Sequence, residues 1–164
     1  MLVCIDMTEE SMSVTATINA PAQKVFDVLV DPSTHEAIDG TGWVRQSLDG
    51  KRITETGDVF RMAMYHENHP NKNYEMANRV EVFEPPHAIA WQPGQGPDDA
   101  NLDFGGWIWR YDLKPVGSAQ TEVTLTYDWS RVPPSTREHI GFPPFEAQHL
   151  ENSLKHLAEL SQSR

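Results

Sequence analysis

Chemistry in this chain would have to come from its histidines, its carboxylates and its aromatic rows. His66 and His69 have His-x-x-His spacing, and His149 and His156 stand seven apart on one helix. A metal centre needs three or four convergent ligands. The first pair flanks a turn and has no third ligand at convincing spacing, and seven histidines in 164 residues make such pairs common. No metal and no cofactor is therefore expected. Asp98, Asp99 and Asp103 lie in a glycine-rich loop without the order or the terminal Glu of a calcium loop. Gly94-Gln-Gly96 lacks both a following Lys and the strand-to-helix setting of a phosphate loop. Cys4 stands near the start of the chain, and no serine has a Gly-x-Ser-x-Gly context. No catalytic residue is assigned.

What remains is a set of apolar rows interrupted by single polar groups. Phe60, Met62, Met64 and His66 alternate along one strand, and Tyr74, Met76 and Asn78 along the next. Trp107, Trp109 and Tyr111 share a face, as do Tyr127 and Trp129, while Trp91 lies in a short strand between. Such rows fit a core or the wall of a cavity. Methionines adapt to irregular shapes, and clustered indoles bring N–H groups that need partners. The polar interruptions are the sharper signal, because a buried polar group must be paired. Asn78, in mid-strand, is best set to orient a ligand. His66 reads as a wet strand end. Glu146 sits in a first helical turn, where a carboxylate is favoured whatever the function.

The elements that position these residues follow from period and punctuation. Val14, Ala16 and Ile18 alternate in an opening strand after a frayed segment over residues 1–11. Asn19 is set to cap a helix with Pro21 in its first turn, and Asp31-Pro32 ends it. Ser33 and Glu36 have capping-box spacing for a second short helix, closed by Gly40-Thr-Gly42. From Trp43 to Trp129 the pattern is β. Asp49-Gly50 signals a hairpin between residues 44–48 and 52–56. Tyr74, Met76, Asn78, Val80 and Val82 should share a face. The Pro93–Gly106 segment reads as a long loop in which Phe104 could cap a cavity mouth. Ser135 and Glu138 suggest a short capped turn, and Pro143-Pro144 opens the last helix. Leu150, Leu154, Leu157 and Ala158 form its stripe, with Glu146 and Ser153 inside the same arc and His149 at its edge. A sheet with one polar face must bury the other, and this helix is the element long enough to cover it.

Composition narrows the partners. The apolar fraction of 38% and charged fraction of 23% are those of a folded chain, expected to form one domain over residues 1–164. With 24 acidic against 13 basic residues, the formal charge of −11 repels phosphate backbones and anionic lipid, so no nucleic acid and no membrane insertion is expected. One cysteine cannot make an internal disulfide, which favours a cytoplasmic location. Self-association into a homodimer stays open.

The layout resembles the helix-grip superfamily of START-like and pollen-allergen-like domains, often labelled SRPBCC. Within it, the chain looks most like the polyketide cyclase/dehydrase group. Ala20-Pro21 with Val25-Phe26, Leu29 and Asp31-Pro32, then Glu84-Pro85-Pro86-His87 with Ile89-Ala90-Trp91, and the helix after Phe142-Pro143-Pro144-Phe145 carry the resemblance across about 12–162. It implies an α+β fold: a curved antiparallel sheet of about six or seven strands around a long C-terminal helix, with a short helical pair after the first strand. It also implies a cavity between sheet and helix for a hydrophobic small molecule such as a lipid, polyketide or aromatic metabolite. The expected contact residues are Phe60, Met62, Met64, Tyr74, Met76 and Asn78 on two strands. Trp91, Trp107, Trp109 and Tyr127 continue the sheet face, and Glu146, His149 and Ser153 answer from the helix. A cyclase/dehydratase-like enzyme is the alternative, and a co-chaperone like the heat-shock ATPase activators of the same fold is a third.

Overall fold

A computed structural model of the chain describes residues 3–163. Nine antiparallel strands form one sheet: β1 (Val3–Met7), β2 (Ser11–Ile18), β3 (Val44–Ser47), β4 (Val59–Tyr65), β5 (Asn73–Glu84), β6 (Ala88–Gln95), β7 (Asp103–Phe104), β8 (Ile108–Val116) and β9 (Gln120–Asp128). The order across it is β1-β2-β9-β8-β6-β5-β4-β3, with β7 paired on β6. Four helices complete the chain: α1 (Ala22–Leu29), α2 (His35–Ile38), α3 (Pro134–His139) and α4 (Ala147–Gln162). The α+β class and the sheet-on-helix layout are as expected, with more strands than the six or seven read from the pattern.

Period-2 alternation builds the inner face. Met12, Val14, Ala16 and Ile18 of β2 are buried, as are Val123, Leu125 and Tyr127 of β9, while the residues between them are more open. Across this face runs the buried stripe of α4: Leu150, Ser153, Leu154, Leu157, Ala158 and Ser161. α4 packs on β2, α1 and α2. Its two histidines hold the end of α2, since His149 Nδ1 meets the Gly40 carbonyl at 2.8 Å and His156 Nδ1 that of Ile38 at 3.1 Å. Gly40 must lack a side chain here, because a Cβ would strike the backbone carbonyl of His149.

Several expectations change. The segment read as frayed holds β1, paired with β2 from Val3↔Ala16 to Met7↔Met12, and Thr8 closes the turn by accepting from the Glu10 and Ser11 amides. Met1 and Leu2, the start of that segment, lie outside the described residues, as does Arg164. Asp49-Gly50 makes no 44–48/52–56 hairpin. β3 pairs with β4 instead, and Ile53 is drawn inward, buried, with its amide donating to Val30 O at 2.8 Å. Burial of Ile53 outweighs the local turn signal.

A register shift between Val80 and Val82 turns Phe83, not Val82, toward Phe26, with ring centroids 5.6 Å apart. Asn19 does not cap α1. Its amide donates to Gln162 Oε1 and its side-chain carbonyl accepts from Gln120. Asp31, rather than Ser33, caps the 3-10 turn of Pro32–Thr34. α3 starts at Pro134 with no side-chain cap from Ser135, and α4 starts at Ala147, after Pro143-Pro144.

Leu157 is fully enclosed. Leu157→Ala is expected to lower the unfolding free energy by roughly 2–5 kcal/mol in chemical denaturation, the cost of lost burial plus a cavity.

Candidate functional site

The inner face is wider than α4, α1 and α2 cover, and the remainder lines a half-open cavity of ≈ 1020 Å³. Cross-strand register assembles its walls. Phe60↔Asn78, Met62↔Met76 and Met64↔Tyr74 are neighbours on β4 and β5. Trp91↔Trp109 and Trp109↔Tyr127 continue a row across β6, β8 and β9. Trp107 lines the cavity just before β8, and His149, Leu150 and Ser153 line it from α4. All the expected contact residues therefore face one space except Glu146. That residue is exposed at the N-cap of α4, in extended backbone, because the helix begins later than Pro143-Pro144 suggested.

The structure adds walls that period alone did not identify. Phe145, just before α4, is buried and stacks on Trp109 (5.5 Å, 9° between planes). It also meets Tyr127 at 4.9 Å, Trp43 at 5.9 Å and the edge of His149 at 5.8 Å. The Phe142-Pro-Pro-Phe145 motif was visible, but its role in closing the cavity needs the chain reversal between α3 and α4. His35, Asp39 and Trp43 come from α2 and the turn after it. Phe104 does not reach the mouth. β6 extends to Gln95, β7 pairs back on it, and Phe104 lies under the Arg79 guanidinium at 4.3 Å.

The polar groups are few and tightly tied. His35 is buried, stacked on Trp91 (5.1 Å) and edge-on to Phe60 (5.3 Å), and its Nε2 lies 2.8 Å from Leu29 O. Burial pushes its pKa down, with the Leu29 hydrogen bond and Asp31 opposing, so the ring is held neutral. Asn78 Nδ2 donates to Phe60 O at 3.3 Å. Burial also raises the Tyr111 and Tyr127 phenols, and Asp39 adds to the effect at Tyr111. Tyr74 is raised in the same way and stacks on His69 at 4.4 Å. The Asp39 carboxylate accepts from the Thr41 hydroxyl and from the amides of Thr41, Gly42 and Val44. His66 tilts against Trp43 at 4.8 Å and is half-buried rather than wet. Each of His66 and His69 accepts a backbone amide at Nδ1, and no metal-holding group of three or more such side chains occurs among the described residues.

A depressed histidine pKa gives stability that is complete above the unfolded value of 6.5 and lost as pH falls through the lower folded value. Between about pH 7.5 and 5, the melting temperature of the native protein should therefore fall more steeply than that of His35→Phe. Parallel curves would show that His35 is not the group responsible.

Among the described residues no helix is long and apolar enough to cross a membrane. The chain shares its fold with a Rhodobacter sphaeroides protein of solved structure (TM-score 0.68, 18% identity, 99% of this chain and 100% of that one). It does so too with a point mutant of norcoclaurine synthase from Thalictrum flavum, solved with a transition-state analogue (TM-score 0.63, 13% identity, 99% and 98%). An uncharacterised protein of Mycobacterium tuberculosis is 24% identical over 160 residues, 94% of this chain, and the chain spans 66% of that relative's length. The helix-grip fold expected from the sequence is thus shown. The family model that matches residues 19–162 is described as activator of Hsp90 ATPase homolog 1-like protein, which shows the superfamily and not specifically the polyketide cyclase group. The chain belongs to that family, within the START-like superfamily.

Proposed function

We propose that this domain binds a hydrophobic, largely aromatic small molecule in the cavity between sheet and α4. The observation that carries the reading is the Trp91–Trp109–Tyr127 row with Phe145 around ≈ 1020 Å³, lined by no Lys or Arg among the described residues. Ligand sites are concave, mostly apolar and fitted with a few placed polar groups. Norcoclaurine synthase, similar in fold, was solved with a small molecule bound, which supports the same use here.

A cyclase- or dehydratase-like reaction is the second reading. Tyr74, Asn78 and His149 line the cavity and could orient carbonyls or move protons, whereas Glu146 points away. Turnover of a synthetic polyketone, abolished by His149→Ala, would establish it. The family's description also raises a chaperone partner. Of the large exposed apolar residues, Ile5 and Met7 share one face of β1, while Leu48, Val116 and Ile140 stand on other segments, so an apolar anchor for such a partner would be confined to the β1 pair.

Nile red, a neutral apolar fluorophore, serves as probe. Ser153 is small and faces the cavity from α4. Ser153→Trp should weaken Nile red binding by about tenfold or more while the protein still melts cooperatively, since an indole would occupy the space. Unchanged affinity in a folded variant would place the probe elsewhere and count against the cavity.

A further inference from the structure

The hydrogen bonds that anchor the cavity's polar side chains also set what those side chains offer a ligand. His35 Nε2, His149 Nδ1 and Asn78 Nδ2 each meet a backbone carbonyl: Leu29 O, Gly40 O and Phe60 O. A carbonyl oxygen only accepts, so the side-chain nitrogen must donate in every case. That assigns both tautomers and the amide orientation from chemistry. In the uncharged rings the remaining atoms, His35 Nδ1 and His149 Nε2, carry lone pairs, and Asn78 leaves its Oδ1. Among the described residues none of the three has a protein donor, and the one sealed side-chain polar atom without a partner is Ser161 Oγ. His35 Nδ1 and Asn78 Oδ1 are therefore open to the cavity, on either side of Phe60, which His35 touches and Asn78 faces across the strands.

Charge points the same way. Among the described residues no Lys or Arg lines the cavity, and the Asp39 carboxylate there is already satisfied by Thr41, Gly42 and Val44. An anionic ligand would be buried beside that carboxylate with no permanent cation to pair it, histidines being the basic groups of the lining, in a chain of formal charge −11. The direction inverts at the β4–β5 turn. His66 and His69 accept backbone amides at Nδ1 and so present Nε2–H donors. Indole and phenol groups add uncharged donors along the walls, which suit an ether or ketone oxygen but cannot neutralise a carboxylate.

We infer that the cavity selects an uncharged, hydroxyl-bearing aromatic molecule, seated with its O–H against Asn78 and His35, over carboxylates and donor-free molecules of the same shape. This rests on the ligand-binding reading above and narrows it. It runs against a fatty acid or another anionic lipid as the natural occupant.

Three matched probes separate the terms: naphthol, its methyl ether and naphthoate, titrated calorimetrically into the full chain at about pH 8. Naphthol is expected to bind about tenfold tighter than the ether, the cost of leaving buried acceptors unpaired, and naphthoate weakest. In Asn78→Leu the advantage over the ether should shrink to about threefold or less, with the ether's own affinity kept. If that variant does not fold, the ranking on the native protein decides alone. Naphthoate or the ether matching naphthol overturns the inference and leaves the binding reading standing. No binding by any of the three overturns both.

Discussion

The structure depends on a mismatch of widths. Eight strands spaced about 4.8 Å apart would span about 34 Å if flat. One helix is about 10–12 Å across, and the sixteen residues of α4 rise only about 24 Å. The inner face is largely apolar, because period-2 alternation runs along β2, β4 and β9. α4 and α1 lie over β2, β9 and part of β8, where Leu150, Leu154 and Leu157 are enclosed, and α2 packs on β3. The span built from β4, β5 and β6 is met by single side chains, Phe26 on Phe83 and His35 on Phe60 and Trp91. Large aromatic side chains fill part of it, and the rest is the cavity.

The polar groups follow from that arrangement. α2 and the turn after it carry carbonyls that no strand or helix satisfies, and side chains of α4 reach across to accept the task. Gly40 permits the approach, and His149 and His156 complete it. The same bonds that join α2 to α4 leave His149 with its other nitrogen facing the cavity wall. His35 repeats the pattern against Leu29, and Asn78 against Phe60. Structural anchoring and ligand chemistry are thus two ends of the same side chains. Loss of the anchor would alter what the cavity presents even where the fold survives.

Much of this was legible in the chain, for a stated reason. Sheet faces are written in alternation, so Phe60, Met62, Met64, Tyr74, Met76, Asn78, Trp109 and Tyr127 fell on the correct side. The α4 stripe was written at helical spacing. The misses are tertiary effects. β1 alternates Val3, Ile5 and Met7 on one face, but the strand is short, carries Asp6 and buries little of that face, and pairing with β2 is what makes it a strand. Ile53 leaves a plausible hairpin because α1 offers it a buried position. The register shift that exchanges Val82 for Phe83 carries no local mark. Glu146 and Phe145 exchanged roles because the prolines precede the helix rather than open it, which turns the phenyl ring inward and the carboxylate out.

A crystal structure of the chain soaked with naphthol tests the central claim most directly. The account predicts the ring system between Phe60 and Phe145, in contact with Trp91 and Trp109, with its hydroxyl within hydrogen-bond distance of Asn78 Oδ1 or His35 Nδ1. A cavity closed by collapse of Trp43, Trp109 and Phe145, with the probe on the outer surface, would contradict it.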